Sequence, residues 1–244
     1  VTDGVLLLHA WPLDARMWDP QLGVLPPGLV VVAPPHPGFG GSEPAGEVTT
    51  MAACADRALG AMDRAGLDRA VVCGLSMGGY VAFELWRRAR DRVAGLVLAN
   101  TRAVADTPEG VEARRALAAR LRAEGNVLAA EPPPLLAEGA PASLRERVRS
   151  WIDEQPAEAI AAASLGMAER PDSTLDLSGI DVPALVITST GDRLIAADVS
   201  AAMAAGIPGS RLEVLEGPGH LTNLESPDRF GGLLIEHVSA CGVG

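Results

Sequence analysis

Short apolar runs alternate along the chain with longer stretches in which apolar residues recur every three or four positions. The runs Val5–His9, Leu29–Ala33, Ala70–Cys73, Val93–Ala99, Ala184–Thr188 and Arg211–Glu216 have strand length and β-branched character. Between them, Met51, Ala55, Ala58, Leu59 and Met62 fall on one helical face, as do Phe230, Leu233, Leu234, His237 and Val238 near the C-terminus. A further helical stretch runs from Met77 to Arg88. Buried strands separated by helices predict an α/β fold with a mostly parallel sheet and helices on both faces.

The alternation stops between Arg102 and Thr174. Leu117 and Leu121, then Leu144, Val148, Trp151 and Ile152, then Ile160, Ala163, Ser164 and Met167 are spaced as helices, without a strand between them. The expected organisation is a sheet-bearing core, residues 1–101 and 175–244, interrupted by a helical cap, residues 102–174. Pro132, Pro133 and Pro134 must end a helix inside that insertion, because proline lacks the amide donor and clashes with the preceding turn.

A chain of 244 residues with 48% apolar content can bury one large core and one small inserted subdomain. All 20 basic residues are arginine, and 31 carboxylates bring the net charge to -11. That balance argues against nucleic acid or an anionic membrane as a partner. Cys54, Cys73 and Cys241 form no metal-ligand or redox spacing, and an odd number cannot all pair internally, so reduced thiols in a cytoplasmic protein are expected. No charged leader precedes Val5–Leu8, and that run is too short for a signal segment or a membrane span.

The chemistry starts at Gly74-Leu75-Ser76-Met77-Gly78-Gly79, between a predicted strand and a predicted helix. G-x-S-x-G in that setting lifts the serine onto a sharp turn at the sheet edge, where the amide of Met77 can face a developing oxyanion. The plainer alternative is a glycine-rich turn with a capping serine. A serine hydroxyl needs a base, and His220, in the tight Glu216-Gly217-Pro218-Gly219-His220 loop after the last strand, is the candidate. Among the other histidines, His237 is expected on a helix face, His9 to satisfy loop backbone groups, and His36 at most to line the pocket. Asp192, after the strand Ala184–Thr188, would orient His220, whereas Asp198 and Glu225 read as solvated surface carboxylates. His9-Ala10-Trp11-Pro12 follows the first strand, and the Trp11 amide can supply a second oxyanion donor because Pro12 has none. Packing of Trp11 against the insertion is the alternative.

The segments LLLHAWPLDARMWDPQL, APPHPGFGGS, VVCGLSMGGYVAFEL, VPALVITSTGDRL and LEGPGHLTNLESPDRF, in this order, resemble the α/β-hydrolase superfamily over nearly the whole chain. Within it the chain is similar to small cap-bearing enzymes of the 3-oxoadipate enol-lactonase, carboxylesterase and cofactor-free haloperoxidase type. The resemblance implies a cap inserted after the sixth strand of the usual fold, lying over Ser76, with Trp151 and Met167 from the cap and His36 from the core as pocket candidates. It also implies a β-hairpin before the first strand, yet only Val1–Gly4 precede Val5, so either the sheet lacks that hairpin or the sequence begins late; a sheet without the hairpin would expose an edge that a homodimer could cover. Ala10 stands where glycine is usual, and Pro35-His36 where aspartate is common. The expected activity is acyl transfer from a small ester or lactone to water, with no metal or organic cofactor. A cyclase, lyase or perhydrolase using the same triad, or a non-catalytic ligand-binding relative, are the alternatives.

Overall fold

The computed structural model describes residues 2–243. Among these residues six strands form one sheet: β1 (Asp3–Leu8), β2 (Val30–Val32), β3 (Arg69–Leu75), β4 (Val93–Ala99), β5 (Ala184–Ser189) and β6 (Arg211–Leu215). All six lie where the apolar runs predict. Their order is β2-β1-β3-β4-β5-β6, and every neighbouring pair is parallel. In β4 every residue is buried, and in β3 all but Arg69 are, which requires cover on both faces of the sheet.

The helices are α1 (Asp19–Leu22), α2 (Met51–Arg64), α3 (Met77–Arg88), α4 (Pro108–Glu124), α5 (Val127–Ala130), α6 (Ala142–Asp153), α7 (Ala157–Ala168), α8 (Ala197–Gly206), α9 (Thr222–Glu225) and α10 (Pro227–Ala240). Their starts follow local chemistry. The Thr50 hydroxyl accepts from the Ala53 amide at 3.1 Å to open α2, while Thr107 caps α4 ahead of Pro108. Burial raises the thiols, Cys54 to about 12 and Cys241 to about 11, and all three cysteines are free. None of the helices among the described residues is long and apolar enough to cross a membrane.

The strand order fixes where a site can form. From β1 the chain crosses to β2 on one side, then returns past β1 to β3 on the other, so the connections diverge between β1 and β3. Such a switch point opens a crevice beyond the carboxyl ends of the two strands. Leu8, at the end of β1, is in register with Gly74 of β3, which brings the loop His9–Trp11 beside Ser76.

Between β4 and β5 the chain forms α4 to α7, with no strand among the described residues, and α4 packs along α7. The prolines at 132–134 lie in the connection between α5 and α6, as their missing amides demand. α7 is anchored to the core by backbone approach: the Thr49 amide donates to the Ala162 carbonyl at 3.0 Å, and a Cβ on Gly166 would collide with the Thr49 carbonyl. Gly166→Ala should therefore lower stability by at least about 2 kcal/mol in thermal unfolding. Gly232→Ala, in exposed α10 surface with open space for a methyl group, should be neutral or raise stability by up to about 1 kcal/mol.

Candidate active site

Ser76 occupies a one-residue turn between β3 and α3 with φ 57° and ψ -115°, a conformation that costs a non-glycine residue about 1–3 kcal/mol. The turn is held by its backbone: the Ser76 amide donates to Ala99 O at 2.9 Å, and Ser76 O accepts from the Thr101 hydroxyl at 2.8 Å. The glycines of the motif serve proximity. A Cβ on Gly74 would strike the Gly78 carbonyl, and one on Gly78 would strike the Leu8 carbonyl, so only glycine lets α3 start this close to β1. Met77 is the first residue of α3, and its amide has no partner within the helix.

Asp192 lies in the turn after β5 and His220 in the loop after β6. His220 Nδ1 donates to Asp192 Oδ2 at 2.8 Å, and the same oxygen accepts from Asn100 Nδ2 at 2.9 Å. Oδ1 accepts from the amides of Leu194 at 2.8 Å and Ile195 at 3.1 Å. Burial alone would raise this carboxyl, but the hydrogen bond and charge of His220, with the donors from Asn100 and Ile195, outweigh it and hold Asp192 below the usual carboxylate range. An ionised carboxylate only accepts, so Nδ1 carries the proton and Nε2 is left as the basic nitrogen.

Ser76 and His220 border one cavity of about 170 Å³, together with Trp11 and Tyr80 of the core and Leu135 and Met167 of the insertion. The predicted residues Ser76, His220, Trp11 and Met167 are thus brought together, with Asp192 directly behind His220. The Trp11 indole donates to Ile160 O at 3.1 Å, so its side chain packs on α7 while its residue edges the cavity. Ala10 meets the loop's requirement without a positive φ: among the described residues only Ser76 and Asn100 are non-glycine residues of that kind, and the Ala10 amide turns toward the Met17 sulfur at 3.1 Å.

Two pocket candidates are corrected. His36 is not among the cavity's lining residues: its amide donates to His9 Nε2 at 2.8 Å, its Nε2 meets His9 O at 3.1 Å, and the two ring centres lie 4.0 Å apart with their planes tilted by 42°. Burial lowers both imidazoles, His9 to about 4, so the pair is neutral and structural. Trp151 is also absent from the lining, because α6 turns it toward the Arg16 guanidinium, 5.9 Å from its ring. Glu225, expected in solvent, is half-buried and accepts from the amides of Gly219 at 2.8 Å and Ala137 at 3.1 Å, tying the His220 loop to the proline-rich connection. Burial raises its carboxyl, and its two amide partners only partly offset that. Asn100 was missed altogether. Besides Asp192 it donates to Ser189 Oγ at 3.0 Å and accepts from Thr222 Oγ1 at 2.7 Å, and its positive φ of 43° at a strand end is a conformation asparagine tolerates.

A model of the alpha/beta hydrolase family matches residues 5–232. The chain belongs to the alpha/beta hydrolase family. Among curated relatives of this hydrolase, a pimeloyl-[acyl-carrier protein] methyl ester esterase of Aromatoleum aromaticum is 31% identical, with 96% of this chain and 97% of the relative aligned. A 3-oxoadipate enol-lactonase of Acinetobacter baylyi is 27% identical, with 89% of this chain and 81% of the relative aligned. Among solved structures, a thermophilic esterase from Thermogutta terrifontis is 40% identical with a TM-score of 0.92, covering 99% of this chain and 90% of that one. These relatives agree with the expectation of a carboxylic ester hydrolase.

The hydrolase also places guanidinium groups at the cavity. Arg102, just beyond β4, and Arg114, on α4, line it, and both bond to Asp106, which Arg170 meets at 2.9 Å and 3.0 Å. Burial would raise the Asp106 carboxyl, but the arginines outweigh it and hold it far below the usual range. A lowered carboxyl contributes stability that is fully present above its unfolded pKa of about 3.9 and is lost as pH falls through the lower folded value. Asp106→Asn should therefore cost about 3 kcal/mol at neutral pH. In melting curves that deficit should persist down to about pH 4 and shrink only in stronger acid; a deficit that vanished already near neutrality would contradict the ionised arginine-bound state.

Proposed function

We propose that this hydrolase cleaves a small carboxylic ester or lactone through an acyl-enzyme on Ser76. The observation that carries the reading is the shared cavity of Ser76 and His220, with Asp192 fixing Nδ1 so that Nε2 faces the task of base. His220 Nε2 takes the Ser76 proton as Oγ attacks the carbonyl carbon. The resulting oxyanion lies against the Trp11 and Met77 amides, each able to contribute roughly 3 kcal/mol in the transition state. The protonated imidazole, its charge matched by Asp192, returns that proton to the leaving alkoxide. Water, deprotonated by the same nitrogen, then attacks the acyl-enzyme and releases the acid and free Ser76.

Residues 102–174 act in this reading as a cap. Leu135 and Met167 close the cavity from that side, and a volume of about 170 Å³ restricts the acyl group to a short chain or small ring, since typical ligand pockets hold roughly 300–1,000 Å³.

Ser76→Ala should lower kcat/KM for a p-nitrophenyl acetate assay by at least about a thousandfold, with an unchanged circular dichroism spectrum. A fluorophosphonate probe should label Ser76 alone, read by peptide mass spectrometry. Retained turnover in Ser76→Ala, or labelling at another residue, would remove Ser76 from the role.

A further inference from the structure

The serine cavity has a larger neighbour. A groove of about 640 Å³ lies between the proline-rich connection and α6, and the buried side chains of Leu136 and Val148 are part of its lining. Pro133 and Leu135 line both spaces, so one short segment of chain is the wall between them. The turn after β5 divides in the same way: Arg193 lines the groove, and the next residue, Leu194, lines the cavity. Leu194 is 41% exposed although it borders the cavity, which puts a mouth of the cavity beside Arg193 and hence beside the groove.

The shared wall stands on the side of the catalytic imidazole. The Leu221 amide donates to Leu135 O at 3.0 Å, and the amides of Gly219 and Ala137 meet on Glu225 at 2.8 Å and 3.1 Å. A Cβ on Gly219 would collide with the Ala137 amide. Residues 135–137 therefore lie along the loop that carries His220, bonded to it on either side of that residue. In ester hydrolysis the leaving oxygen must come within hydrogen-bond reach of the nitrogen that protonates it. The alcohol half of a substrate thus departs on the side where Pro133 and Leu135 separate cavity from groove, while the acyl half stays bonded to Ser76 inside about 170 Å³.

The charged residues at the groove are already engaged. Arg145 donates to the carbonyls of Ala137, Glu138 and Ala140, Arg149 Nε to Ala129 O at 2.8 Å, and Arg193 Nη1 to Glu138 Oε1 at 3.0 Å. Their methylene stems join the prolines, Leu136 and Val148 as apolar lining, and Glu146 sets a negative charge against theirs. Such a surface suits a neutral apolar chain better than an ion, which would have to compete for guanidinium groups that have partners.

We propose that this groove is the alcohol subsite, so that the preferred substrates join a short acyl group to a long apolar alcohol whose chain passes Leu135 and lies against Leu136 and Val148. The proposal rests on the reading of Ser76 as nucleophile and His220 as its base. The acyl group is limited by the enclosed cavity, and each further methylene on the alcohol is withdrawn from water along the groove.

Hexyl acetate and ethyl hexanoate provide the test, because they are isomers with leaving alkoxides of similar basicity and differ in which half carries the chain. With acid release followed at neutral pH, hexyl acetate should have the higher kcat/KM by at least about tenfold, the effect of burying two methylenes. A ratio near one, or in favour of ethyl hexanoate, overturns the groove assignment and leaves the hydrolase reading intact. Ala142→Trp and Glu146→Trp, at exposed positions one turn apart on α6, each place an indole in the groove. Each should lower the ratio at least about fivefold, and a ratio retained in both folded variants overturns the assignment. If neither ester nor p-nitrophenyl acetate is turned over by the wild-type protein, the hydrolase reading falls and the proposal with it.

Discussion

The first turn of α3 approaches the end of β1 so closely that no side chain fits between them. Gly78 lies against the Leu8 carbonyl and Gly74 against the Gly78 carbonyl, and the positive φ of Ser76 is the backbone's way of entering α3 at that distance. The rest of the site depends on this contact. It sets the serine above the switch point between β1 and β3, places the Trp11 loop beside it, and starts α3 directly after it. The local cost of the turn is offset by two bonds to the Ser76 backbone, its amide donating to the Ala99 carbonyl of β4 and its carbonyl accepting from the Thr101 hydroxyl in the segment after it.

Behind the cavity, a polar network takes over from backbone packing. Asp192 accepts from His220, Asn100, Leu194 and Ile195, so its carboxylate is satisfied on both oxygens although buried. Asn100 links it to Ser189 and Thr222, and Ser189 holds the Gly219 carbonyl at 2.7 Å, one residue before His220. Glu225 grips the same loop through the Gly219 amide. The imidazole is thus positioned from three strands' ends, which is why a loop rich in glycine still delivers a fixed ring.

Much of this was legible in the sequence because it rests on local rules. Strand positions follow from apolar runs, and the serine motif announces its own turn; the chain order of Ser76, Asp192 and His220 follows from strands that end on the same edge. Where the reading failed, tertiary packing decided. Nothing in the spacing of α6 says that Trp151 turns to Arg16, and a histidine in a Pro-Gly loop gives no sign that its partner is His9, distant in sequence. Glu225 sits in a polar segment that looks solvated until the proline-rich connection folds over it. Asn100 offered a weak signal, an amide directly after an apolar strand, that residue type alone could not separate from an ordinary turn.

The indole of Trp11 reaches across to the Ile160 carbonyl on α7, while the residue borders the same cavity as Ser76. One aromatic residue therefore joins two parts of the chain that could otherwise shift independently. If the helical layer slides outward to admit a bulkier molecule, it pulls on the strand-end loop beside Ser76. In the proposed reading, selection by size and competence for chemistry are in this way mechanically coupled: an oversized acyl group would be refused space and would also disturb the loop that carries one proposed oxyanion donor.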